Sequence, residues 1–181
     1  SHSPLFFPFW RTETMRKLQV LLLGVAVLSM GLVVPSQVRA AHSDDPHAVH
    51  AEYARAIVSV TFRGADAMDD VVDKAIPRIR RLQNAGMHER ARQLAREAID
   101  RIESIADETH GKIREWTSEG VRALKALEDV APPDVLRRLI SKLVNLAKRA
   151  ANFVSDVEED SVNAIKRLFP QVSEVPRRSR D

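Results

Sequence analysis

The spacing of the apolar residues constrains this chain most, because they recur every three or four positions over three long segments. Such spacing places an apolar stripe along one side of an α-helix, which turns once every 3.6 residues. The segments run from about Pro46 to Asn84, from about Met87 to Asp129, and from Asp134 to Phe169. No strand-like alternation of useful length is present. The pattern predicts an all-α fold, a long antiparallel three-helix bundle with coiled-coil-like packing.

Each stripe defines the residues that we expect in the core. The first stripe comprises Tyr53, Ile57, Val60, Gly64, Met68, Val71, Ala75, Ile79 and Leu82. The second comprises Ala91, Ala95, Ala98, Ile102, Ile105, Thr109, Ile113, Trp116, Gly120, Leu124 and Leu127. The third comprises Leu136, Ile140, Leu143, Ala147, Ala150, Val154, Val157, Ser161, Ala164 and Leu168, widened by Leu139, Leu146 and Phe153.

Glycine and proline mark the predicted interruptions of these segments. Pro77 predicts a kink or a helix break, because proline lacks a backbone donor and clashes with the preceding turn. Gly111 predicts a bend or a division of the second helix. Gly86 suits a left-handed helix cap, and the Ala131–Asp134 stretch, "APPD", ends one helix and starts another. Gly64 lies on the first stripe, where it would permit close approach of a partner helix.

The segment 15–40 has the order of a secretory signal peptide. Two basic residues precede an apolar run, and small residues follow at the position where cleavage between Ala40 and Ala41 is expected. The uninterrupted apolar run, 20–34, is shorter than the roughly 20 residues that cross a bilayer. We therefore predict export across the cytoplasmic membrane to the periplasm or the exterior, with an uncleaved signal anchor as the alternative.

The remaining boundaries follow from composition. Residues 1–14 precede the first methionine and are predicted to lie outside the fold. A short segment, 41–45, leads into a helical bundle domain predicted over 46–169. The basic, proline-broken stretch 170–181 is predicted to be a flexible tail.

Charge excludes one class of partner once the signal segment is set aside. The whole chain carries a formal net charge of +3, but residues 1–40 hold four basic residues and one acidic residue. The rest of the chain then carries 24 basic and 24 acidic side chains, a formal charge of zero. We expect no nucleic-acid partner, because such binding depends on neutralising phosphates. The absence of cysteine means that stability must come from packing or assembly.

The third segment carries the most concrete interaction signal. Between Val135 and Ser155 it has no acidic residue and five basic ones: Arg137, Arg138, Lys142, Lys148 and Arg149. A wide apolar face beside basic residues is typical of a helix that binds anionic lipid at the membrane surface. The same pattern serves charge matching inside a bundle, where the second segment, with ten acidic and eight basic residues over 87–130, would be the partner.

Histidines near the start of the first helix define a candidate metal site. His42, His47 and His50 are close in sequence, and His47 and His50 would share one side of a helix that begins at Pro46. Zinc needs three or four ordered ligands, so this set is incomplete. The alternative is a solvated terminus in which Asp44 or Asp45 caps the helix.

No sequence pattern typical of catalysis is complete. "MHERAR" lacks the second histidine of a zinc-protease helix, and no cysteine nucleophile, serine elbow or phosphate-binding glycine loop is present. We expect no enzyme, no cofactor and no small-molecule substrate. The leading hypothesis is an exported interaction or scaffold module of the cell envelope or extracellular space, with a protein partner or self-association. The alternatives are reversible membrane-surface or holdase-like binding through the third helix, and periplasmic metal binding through the histidines.

Overall fold

A computed structural model describes residues 44–169, which form three α-helices and no strand. The helices are α1, Pro46–Asn84; α2, His88–Lys125; and α3, Pro133–Lys166. They pack against one another. The all-α prediction and the number of helices are therefore confirmed for the described residues. The predicted signal peptide, its cleavage position at Ala40 and Ala41, and the C-terminal tail from Pro170 lie outside them.

The start of α1 follows from residues 45–47. The Asp45 carboxylate accepts a hydrogen bond from the backbone N–H of His47, at 3.0 Å, so Asp45 caps the helix as one of the two predicted candidates. Pro46 occupies the first helical position, where its missing N–H has no intrahelical partner to lose. The cap and the proline together fix where α1 begins.

The end of α1 is a glycine cap of the Schellman type. Gly86 has a φ of +73°, its N–H donates to the carbonyl of Gln83, and the N–H of Met87 donates to the carbonyl of Leu82. These two bonds satisfy carbonyls that the helix end would otherwise leave unpaired. The predicted left-handed cap is confirmed.

Two predicted interruptions do not divide the helices. The helix break considered at Pro77 is wrong, since α1 continues through this exposed proline to Asn84. The buried residues Ala75 and Ile79 flank it, and their packing holds the helical backbone against the cost of proline. The division considered at Gly111 is also wrong, because α2 is continuous there. At its other end α2 stops at Lys125, and turns rather than helix cover the next five residues.

The described residues pack as two compact units, and each unit takes a portion of all three helices. The first unit comprises residues 44–62 and 109–154, and the second comprises residues 63–108 and 155–169. The prediction of one bundle domain over 46–169 stays a prediction.

The first unit has an aromatic and leucine-rich core. The Tyr53 ring lies 6.3 Å from that of Trp116, and the Phe62 ring lies 6.4 Å from that of Phe153 in an edge-on arrangement. A Cβ placed on the buried Gly120 would lie 2.6 Å from Cδ2 of Leu143 and 2.8 Å from Cγ of Tyr53. Other buried side chains include Ile57, Ile113, Leu124, Leu136, Leu139 and Leu146.

The second unit has an aliphatic core. Its fully buried side chains include Met68, Val72, Ile79, Ile102 and Ile165. Buried alanines occupy the first three turns of α2. The Gln83 side-chain amide donates to the carbonyl of Leu168 at 2.9 Å, which joins the last turn of α1 to the chain just after α3.

Candidate interaction surface

The five predicted cations of α3 form an exposed surface in the first unit, which we call the basic face. All five side chains are exposed: Arg137, Arg138, Lys142, Lys148 and Arg149. They span thirteen positions, 137–149, and the first and last lie about 18 Å apart along the axis at 1.5 Å per residue of helix. The sequence-based prediction placed these residues on one helix, and the structure places all of them in solvent.

The opposite side of α3 fixes this orientation. Leu143, Ala150 and Val154 are completely buried, and Leu136, Leu139 and Phe153 are at most 5% exposed. Rotating the helix would expose these side chains, and each large one contributes about 1.5–3 kcal/mol through burial. The buried apolar side therefore keeps the cations on the solvent side.

Most of the basic face has no carboxylate partner within residues 44–169. Arg138 forms an ion pair with Asp134 at 2.9 Å, one turn earlier in the same helix, with both side chains well exposed. Arg137, Lys142, Lys148 and Arg149 form no ion pair with any described residue, on α2 or elsewhere. Among the described residues, their positive charge is therefore not offset by a paired carboxylate.

His50 on α1 lies beside the basic face. It is half-buried, and its Nε2 atom is buried without a hydrogen-bond partner among the described residues. Burial lowers the pKa of His50 from its ordinary value of 6.5, and the charges of Lys142 and His47 lower it further. Sequence reasoning did not find the proximity of His50 and Lys142, since the two residues are far apart in the chain.

The predicted metal-ligand set is only partly described. His47 is exposed, His50 is half-buried, and His42 lies outside the described residues. Within residues 44–169 no group of three or more histidine or acidic side chains is placed to hold a metal ion. The Lys142 cation near His50 also opposes the binding of a second cation there.

A shallow depression follows one side of α2 in the second unit. It is lined by exposed polar and charged side chains of that helix alone: Glu89, Arg90, Gln93, Arg96, Glu97 and Asp100. Gln93 donates to the Glu97 carboxylate at 3.0 Å, and Arg92 pairs with Glu89. The mixed charges balance within the helix, so this surface has weaker electrostatic attraction for an anion than the basic face.

Comparison with known proteins adds no relationship, because no protein-family model, curated protein or solved structure matches this chain. No helix within residues 44–169 combines the length and the apolar composition needed to cross a bilayer. What can be inferred about function therefore rests on the fold and on the basic face.

Proposed function

We propose that this protein is an exported, non-enzymatic interaction module, an antiparallel coiled-coil-like bundle that binds an anionic partner through the basic face. The single observation that carries the proposal is a group of four exposed cations that form no ion pair within residues 44–169: Arg137, Lys142, Lys148 and Arg149. Export is supported by the order of residues 15–40 alone. In this role the buried apolar side of α3 keeps the cations in solvent.

Short connections support the antiparallel arrangement. Three residues join α1 to α2, and seven join α2 to α3. Connections this short favour neighbouring helices of opposite direction. Within the first unit, the close packing of Gly120 with Tyr53 and Leu143 brings all three helices together at one level.

Electrostatic attraction supports an anionic partner rather than a neutral one. A cation that is already paired gains little from an external anion, since the pair must first be broken. Exposed unpaired cations attract anions directly, and water and salt both weaken that attraction. A cluster of them on one helix raises the local concentration of anions and accelerates their association.

Charge reversal tests the proposal with a matched control. The test variant carries Arg137→Glu, Lys148→Glu and Arg149→Glu, which leaves the Asp134–Arg138 pair and the neighbour of His50 intact. The control variant carries Arg78→Glu, Arg90→Glu and Arg101→Glu, three exposed positions of the second unit with the same total change of charge.

The measurement is a titration at low salt with poly-glutamate, a soluble chain that carries a row of carboxylates. We expect binding by the wild type and the control variant, and loss of binding by the test variant. Equal binding by all three proteins would show that overall charge, not the basic face, attracts the anion, and the proposal would be wrong. In-cell crosslinking of the tagged protein then identifies the physiological partner or self-association.

A further inference from the structure

We infer that the anionic partner of the basic face is a membrane surface rich in acidic phospholipid, to which the closed bundle adsorbs without inserting a helix. This inference rests on the proposed function and names its partner. It also changes the sequence-based hypothesis, in which α3 would bind lipid through its apolar side.

The composition of the exposed side of α3 favours a membrane surface over a protein as the partner. The exposed positions between the cations are Ser141 and Asn145, and Asn152 follows them; every exposed residue from 134 to 152 is polar. Protein interfaces have an apolar centre with anchoring aromatic side chains, and this surface has neither. A partner that offers many charges and needs no apolar contact fits it better.

The convex shape of the surface favours a bilayer over a linear polyanion as the partner. The exposed side of a helix is convex, so its long arginine and lysine side chains project outward independently. Proteins that bind single-stranded nucleic acid instead use a positively charged groove with aromatic side chains for stacking. A broad layer of phosphate groups can meet several projecting cations at once, as juxtamembrane basic clusters do.

Burial of the apolar side of α3 excludes insertion by the folded bundle. Leu143, Ala150 and Val154 have no exposed surface, and Phe153 is 5% exposed. These side chains would have to leave the core of the first unit before they could enter lipid. Adsorption through headgroup charges needs no such rearrangement, and it predicts that binding depends strongly on salt.

The experiment measures partition of the full chain onto phosphatidylcholine vesicles with and without phosphatidylglycerol. The readout is the ratio of the two partition constants, in which any contribution of the apolar run 20–34 that is common to both lipids cancels. We expect Arg137→Glu, Lys148→Glu and Arg149→Glu together to lower this ratio by at least about 100-fold, since each cation near an anionic surface contributes about 1 kcal/mol. The control variant, Arg78→Glu, Arg90→Glu and Arg101→Glu, should keep the wild-type ratio.

Measurements at high salt and with poly-glutamate distinguish adsorption of the closed bundle from insertion and from binding to another polyanion. The wild-type ratio should fall close to one in 1 M salt, where the screening length is about 3 Å. A ratio that stays high at that salt indicates insertion and overturns adsorption by the closed bundle. A ratio near one at low salt, or tighter binding to poly-glutamate or single-stranded DNA than to anionic vesicles, also overturns the inference while leaving the proposed function in place. Binding to none of these anions would remove the proposed function itself.

Discussion

Gly120 is the residue whose lack of a side chain matters most to the packing of the first unit. An added Cβ would lie 2.6 Å from Cδ2 of Leu143 and 2.8 and 2.9 Å from Cγ and Cβ of Tyr53. The Leu143 methyl can rotate away, but Cβ of Tyr53 is attached to the backbone. We predict that Gly120→Ala lowers the free energy of unfolding by about 1–2 kcal/mol, since overpacking outweighs the better helix propensity of alanine.

Gly111 provides the control for this substitution. It lies on the same helix, and no atom lies within 4 Å of the position of an added Cβ. Gly111→Ala should therefore raise stability by about 0.5–1 kcal/mol. Urea unfolding of both variants measures the difference, and a stabilising effect at both positions would contradict the close packing around Gly120.

His50 makes stability depend on pH. Its pKa is lowered in the folded state, first by burial and then by Lys142 and His47, whereas the unfolded chain has the ordinary value of 6.5. The unfolded state therefore binds more protons in this range, so stability rises with pH. We predict that stability falls as the pH drops through about 6.5 and levels off below the lowered pKa of the folded state.

Two substitutions test this assignment. His50→Gln should remove the His50 contribution to the pH dependence, which is read from urea unfolding at several pH values. Lys142→Met should reduce it in part, because one of the two neighbouring charges is gone while the burial remains. An unchanged pH dependence in His50→Gln would assign the effect to another group.

At the scale of the helix, Pro77 is an exposed proline inside a continuous α1. It lacks the N–H that this position of the helix would donate, and proline is about 3 kcal/mol less favourable than alanine in a helix interior. We predict that Pro77→Ala raises the free energy of unfolding by about 1–3 kcal/mol, measured by urea unfolding.

Pro133, the first residue of α3, is the matched control for Pro77. Proline suits this position, so Pro133→Ala should change stability by at most about 1 kcal/mol and in the unfavourable direction. If Pro77→Ala also destabilised the protein, the proline would have a role in packing that its exposure does not indicate.

Helix spacing predicted the elements well because it reports the side of each helix that meets its neighbours. Ile57, Met68 and Ile102 lie on the predicted stripes and are completely buried. For α1 the predicted stripe did not include all of the core residues, because Thr61 and Val72 are also buried. A helix that packs against two neighbours buries a wider arc than one stripe, and a single sequence does not say which second row is covered.

The candidate surface was predictable in composition but not in surroundings. A stretch with five basic residues and no acidic one, 135–155, identified the cations, and their exposure follows from the apolar side opposite. The position of His50 beside Lys142 depends on how α1 and α3 pack, and no local pattern encodes it. The sequence left a kink and a break as alternatives at Pro77 for a related reason, because the packing that keeps the helix unbroken there is tertiary.

At the scale of the whole molecule, helix continuity should couple the two units. Each helix passes from one unit to the other, so separate unfolding would create a new helix end in all three, each with four unpaired backbone groups. We predict that Ile102→Ala in the second unit lowers the free energy of unfolding by about 2–5 kcal/mol. The urea transition that Trp116 reports in the first unit should shift to lower urea by the corresponding amount.

Fluorescence and circular dichroism together check this coupling. A Trp10→Phe background leaves Trp116 as the sole tryptophan. Coincident urea transitions by the two methods indicate one cooperative event. A Trp116 transition that does not move in Ile102→Ala, beside a biphasic dichroism curve, would mean that the units unfold independently.

The missing side chain at Gly120 also sets the axial alignment of α2. On a helix, the residues one turn to either side of Gly120 on the same side are Trp116 and Leu124. If α2 slid by one turn along its neighbours, an indole or an isobutyl group would arrive where Tyr53 and Leu143 leave no room for a single methyl. Repetitive apolar stripes allow several axial alignments of similar energy, and the missing side chain at Gly120 selects one of them.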